Sequence, residues 1–226
     1  AVVSVSEGRA RSLTPVERDR LAYAEQVRAV HERGKGSVRR GHVCLYGDSL
    51  TGPTVYRQMV EGALGIYTVG AKGFAGMRTG WGRKNALKKA LEPENPEFVL
   101  VMFGTNDVRG KRRAPETYRK WVDALVDIVR QAEARGTVAV LGTIPPRGFD
   151  DPASRPEAEF NRMLVARARE LGVPVAYVFD EIQSSGDRRR FIYKDGVHWT
   201  VGGMEAAARA WARTMRQIEF ALRDRP

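Results

Sequence analysis

Cysteine and histidine are scarce in this chain. One cysteine, Cys44, in 226 residues excludes an intrachain disulfide framework and any cysteine-based zinc cluster. Three histidines (His31, His42 and His198) are too few for a multi-histidine metal centre, so no metal and no other cofactor is expected. Long hydrophobic runs are missing too: none approaches the roughly 18 residues that span a bilayer. There is no internal repeat and no low-complexity linker, so the length reads as one α/β domain with a short extension. The beginning of the chain carries neither Met nor a charged-then-apolar leader. A mature or trimmed chain outside the cytoplasm is the expectation from that.

Basic residues outnumber acidic ones, 38 to 27, for a formal net charge of +11. Such a surplus attracts anionic partners but says nothing about fold. The cations are interspersed with acids rather than gathered into a stripe, and no nucleic-acid motif is present, which argues against nucleic acid as a partner. A hydrophobic share of 42% is enough for a sizeable core.

The first 15 residues lack periodicity and read as a loose arm. Thr14, Pro15 and Glu17 form a helix-start signature, and the helix they open ends at Gly34-Lys35-Gly36. Residues 1–40 thus form an arm and helix, and 41–226 the main domain. From residue 42 short apolar runs alternate with amphipathic stretches. His42–Tyr46, Ile66–Val69, Phe98–Phe103, Thr137–Leu141 and Val175–Val178 read as strands, continuous enough to be buried on both faces of a parallel sheet. Pro115–Arg135, Arg155–Leu171 and Val201–Arg223 read as helices. This alternation predicts an open α/β sheet with helices on both faces.

In such a sheet the active site lies beyond the carboxyl ends of the strands. Gly47-Asp48-Ser49-Leu50 follows the first strand, Gly70 to Gly76 the second, and Gly104-Thr105-Asn106-Asp107 the third; Asp195-Gly196-Val197-His198 precedes the last helix. A serine hydroxyl needs a neighbouring imidazole to take its proton, and His198 is the candidate. Asp195, three residues earlier, could orient that imidazole and offset its charge. Ser49 N–H, Gly73 N–H and the Asn106 amide are candidate donors to an oxyanion, with Ser49 expected at a helix start.

These blocks, in this order, resemble the SGNH (GDSL-type) hydrolase family over roughly residues 42–220. One departure is Ala71, which stands where the second block carries Asn. The resemblance implies a three-layer α/β/α, flavodoxin-like fold with a five-stranded parallel sheet of order 2-1-3-4-5. It also implies metal-free ester hydrolysis through an acyl-serine. The G-x-S-x-G elbow of α/β-hydrolases is missing, since Thr51 stands two after Ser49.

Asp48 and Asp107 are expected to brace their loops, and Cys44 to be a buried apolar side chain. His31 and His42 show no partner in sequence and read as structural. Lys111-Arg112-Arg113 and Arg188-Arg189-Arg190 read as solvated faces. Trp81 and Trp199 adjoin the blocks and suit sugar stacking, an acyl pocket or plain packing. Arg78 and Arg109 flank the site and suit an anionic substrate. The expected substrate is a small-molecule or carbohydrate ester with a short acyl group such as acetate. Two alternatives stay open: a lipase, lysophospholipase or thioesterase acting on longer chains, and a non-catalytic polyanion-binding module. Oligomeric state is not read from the sequence.

Overall fold

The computed structural model describes residues 15–184 and 186–223; residues 1–14 of the expected arm, with its Thr14 cap, lie outside them. The elements run α1 (Pro15–Arg33), β1 (Arg39–Gly47), α2 (Thr54–Leu64), β2 (Thr68–Gly73) and α3 (Thr79–Ala86). A π-helical turn (Leu87–Leu91) leads into α4 (Glu92–Glu94), β3 (Pro96–Met102), α5 (Thr105–Val108), α6 (Pro115–Glu133) and β4 (Val138–Gly142). The chain continues through α7 (Asp151–Glu170), β5 (Val175–Ala176), α8 (Val178–Gln183), a 3-10 turn (Arg188–Arg190) and α9 (Val201–Arg223). No helix among the described residues is long and apolar enough to cross a membrane.

The five strands form one parallel sheet of order β2-β1-β3-β4-β5. Every residue of β3 is buried, as a central strand covered on both faces must be. Helices supply that cover: α2 packs on α9, which also touches α8 and α1, while α3 packs on α6 and α6 on α7. Val27 and Val30 of α1 join the same core. Chain order along the sheet reverses at β1 and β3, so a crevice opens at their carboxyl ends.

Three elements differ from the sequence expectation. The second strand begins at Thr68 and runs through Gly70–Gly73, which pair in register with Cys44–Gly47. Glycines carry no hydrophobic signal, and Ile66, which does, is exposed. The fifth strand has two residues: Tyr177 leaves the extended region and Val178 opens α8, which buries Val178 and Ile182. Helix α7 starts at Asp151, so Pro156 sits at its sixth position rather than in its first turn.

The apparent loners of the sequence are paired. His31 Nε2 lies 2.9 Å from Glu97 Oε1, which also accepts from Arg40. His42 is buried between Thr68 and Glu94, 2.9 Å from each, and Lys72 also reaches Glu94. Burial alone would raise the Glu94 carboxyl, but the Lys72 and His42 bonds outweigh it and hold it below the usual range. Arg188, expected on a solvated face, is buried and bonded to Asp150, Asp151 and Gln183. Cys44 is fully buried, and desolvation raises its thiol far above any reactive range.

Trp211 of α9 closes the core over β4. Its Nε1–H donates to Tyr56 Oη at 2.7 Å, and its ring presses on Gly142. A Cβ at Gly142 would come within 2.6 Å of the indole. Gly142→Ala is therefore expected to destabilise the fold by about 1–3 kcal/mol through overpacking, read as a lowered midpoint in urea unfolding.

Candidate active site

The end of β1 turns sharply. Thr51 N–H donates to Asp48 O and Gly52 N–H to Ser49 O, while Leu50 N–H donates to Asp48 Oδ1 at 3.1 Å. Ser49 therefore sits on a tight turn five residues before α2. It is not at the helix start, and the helix dipole does not act on it directly. Gly73, at the end of β2, packs against this turn: a Cβ there would lie 2.2 Å from Gly52 N. Phe74 N–H bonds to Gly47 O, so the alternation of a parallel ladder turns the Gly73 N–H away from β1.

His198 reaches Ser49 from the far end of the chain. Its Nε2 lies 3.1 Å from Ser49 Oγ, and its Nδ1 lies 2.7 Å from Asp195 Oδ2. The carboxylate can only accept, so Nδ1 carries the proton and Nε2 is left to accept from the serine hydroxyl. Asp195 is held in turn, since its Oδ1 accepts from the backbone N–H groups of Val197 and His198, both at 2.9 Å. Slight burial works against the ionised form. The His198 ring and those two N–H groups outweigh it and bring the Asp195 carboxyl down to about 2. The antiparallel bridge Ile192–Trp199 and the Tyr193 N–H to His198 O bond fix the loop. The side chains of His198 and Asp195 remain 51% and 42% exposed, so the site is open to a large substrate.

Asn106, in the first turn after β3, donates from Nδ2 to Met77 O at 3.0 Å. That bond ties the third block to the loop of the second and leaves the other amide proton available. Asp107 braces the same junction by accepting from Thr79 N–H and Thr79 Oγ1. Asp48 braces its own turn, but its Oδ2 is buried without a partner. Burial pushes its carboxyl up to about 7 against the Leu50 hydrogen bond; the charge of Asp107 adds to the rise and His198 opposes it.

The flanking residues divide. Trp199 is buried against Tyr56, edge to face with centroids 5.0 Å apart, which removes it from substrate contact. Trp81, Arg78 and Arg109 line one cavity of about 470 Å³, together with Met77, Arg83, Lys120 and Trp121. Lys120 and Trp121 come from α6, far from any block; at the sequence level Trp121 belongs to the apolar stripe of that helix, and nothing local joins either residue to the site. Among the described residues, no group of three His, Cys, Asp or Glu side chains could hold a metal ion.

The profile of the GDSL-like lipase/acylhydrolase family matches residues 43–206. The chain belongs to that family. It is a carboxylic ester hydrolase accordingly. Two solved structures show the same fold. A lipase/acylhydrolase from Enterococcus faecalis is 20% identical, with a TM-score of 0.66 over 77% of this chain and 95% of that one. The acetylxylan esterase Axe2 from Geobacillus stearothermophilus is 20% identical, with a TM-score of 0.67 over 84% of this chain and 99% of that one. Among curated proteins, none matches the chain.

The buried Asp48 has a measurable consequence. An unfolded aspartate ionises near 3.9, whereas the folded protein holds this proton up to about pH 7. Between those values the folded state binds more protons, so this group makes stability fall as pH rises. Asp48→Asn should remove that component. The variant's stability relative to the parent should grow by at least about 1 kcal/mol between pH 4 and pH 7 in denaturant titrations, the worth of less than one pKa unit.

Proposed function

We propose that the chain is a serine esterase that removes short acyl groups, acetate foremost, from carbohydrate, with Ser49 as nucleophile. The continuous hydrogen-bond path from Ser49 through His198 to Asp195 carries this reading. Ser49 Oγ adds to the ester carbonyl carbon as its proton passes to His198 Nε2. Asp195 keeps the ring in the tautomer that can accept and offsets the imidazolium charge. The carbon–oxygen bond to the alcohol then breaks, and the alcohol leaves with the proton from His198. Water repeats the sequence on the acyl-serine, releasing the acid and restoring Ser49.

The tetrahedral species carries its charge on the former carbonyl oxygen. Ser49 N–H and the Asn106 amide are its donors in this reading, each worth roughly 3–4 kcal/mol when aimed beforehand. The Gly73 N–H, expected as a third, is turned away from β1, and Gly73 serves instead by letting its strand pack against the Ser49 turn. Preference for a sugar over a long alkyl chain is supported by the cavity wall, where indoles and cations suit a hydroxylated ring better than a hydrocarbon tail. The acetylxylan esterase among the similar structures agrees with it.

Hydrolysis of p-nitrophenyl esters from acetate to palmitate tests the reading. Activity is expected to be highest with acetate and to be abolished in Ser49→Ala. Asp195→Asn should lower kcat by about 10³–10⁴-fold, because the ring loses its accepting tautomer. Undiminished turnover in Ser49→Ala would refute the nucleophile, and a palmitate optimum would refute the short-acyl preference.

A further inference from the structure

The cavity beside the oxyanion loops shares its wall with them. Met77, whose carbonyl receives the Asn106 amide, lines it, and so does Asp107, next to Asn106 in the chain. Trp81 packs at a tilt against Phe74, the residue after Gly73, with centroids 4.7 Å apart. The cavity thus adjoins the loops that carry Gly73 and Asn106, while Ser49 and His198 stand outside its wall.

The wall is strongly cationic. Arg78, Arg83, Arg109 and Lys120 all contribute, against one acid, Asp107. Arg83 is partly neutralised by Asp127 at 3.5 Å, and Asp127 is shared with Arg130. Burial raises the Asp107 carboxyl, and Arg78 lies near enough to oppose part of that rise, but both Asp107 oxygens are already taken by Thr79. Arg109 and Lys120 form no ion pair among the described residues. Arg109 also holds a left-handed backbone, φ 51°, a conformation that costs any residue with a Cβ and is common at functional sites. Cations crowded round one concavity repel each other, and a bound anion relieves that repulsion. Guanidinium groups suit oxyanions in particular, since they offer paired donors in one plane. The two indoles, Trp81 from α3 and Trp121 from α6, supply flat apolar faces between the charges.

We infer that the acylated substrate is an acidic carbohydrate, a sugar ring bearing a carboxylate, sulfate or phosphate that this cavity holds beside the ester. The inference rests on the esterase reading above and narrows its substrate. The net charge of +11 would steer such a polymer to the protein as well.

Acetylated oligosaccharides matched in length test it: a neutral xylo-oligosaccharide, a uronate oligomer, a sulfated one and a phosphorylated one. At low salt at least one acidic substrate is expected to exceed the neutral one in kcat/KM by roughly tenfold or more, mostly through KM, and the anion preferred identifies its source. Raising NaCl from 20 to 500 mM should shrink that advantage in the unaltered enzyme. The double variant Arg78→Gln/Arg109→Asn should bring the ratio toward one, with Asn chosen because it tolerates the left-handed backbone. A neutral substrate that matches or beats every acidic one overturns the inference. So does an acidic preference that neither salt nor the double variant reduces. Ser49-dependent hydrolysis of p-nitrophenyl acetate reports on the underlying reading independently, so the two failures are distinct.

Discussion

Gly47, the last residue of β1, pairs in register with Gly73 on one side and with Met102 on the other. Parallel pairing therefore brings three strand ends to one level, and the segments that leave them carry Ser49, residues 74–78 and Asn106. Bonds between these loops then lock them together. Phe74 donates to Gly47, Asn106 to Met77, and Thr79 to Asp107. The carboxyl-terminal half of β1 and the whole of β3 are buried, so their backbone groups have no water to turn to and the pairing resists slippage. A small crevice of fixed geometry results, and only His198 and Asp195 must be delivered from elsewhere.

That delivery is local in its construction. Asp195 reaches His198 across three residues and accepts two backbone N–H bonds in the same stretch, so the Asp195–His198 pair is assembled within one loop. This is why the pair could be read from sequence: spacing alone nearly dictates the contact. The strand-end serine and asparagine were legible for a different reason, since apolar runs mark strands and the residue types that follow them have few other uses together. Positions that depended on distant partners were not legible. His31 and His42 find Glu97 and Glu94 only after folding, 66 and 52 residues away. Trp199 adjoins His198 in sequence yet turns inward onto Tyr56, because neighbours in an irregular loop need not face the same way. The cationic cavity joins α3 to α6, a contact that no local pattern announces.

Charge is handled differently on the two sides of Ser49. Asp195 is half-exposed and richly hydrogen-bonded, so it stays ionised through the working range and costs little to keep. Asp48, one residue before the serine, is buried with one oxygen unpartnered, and burial raises its proton affinity steeply. The turn that presents Ser49 thus carries a destabilised carboxyl beside it, a burden the surrounding core of β1 and β3 can bear. Functional sites commonly hold such locally unfavourable groups.

In the proposed reaction Ser49 is activated because His198 lies against it. Intact-mass and peptide mapping after treatment with a fluorophosphonate tests this most directly. One label per chain, confined to Ser49 and lost in His198→Ala, is the result expected. Labelling at another residue, or equal labelling of Ser49 without His198, would contradict it.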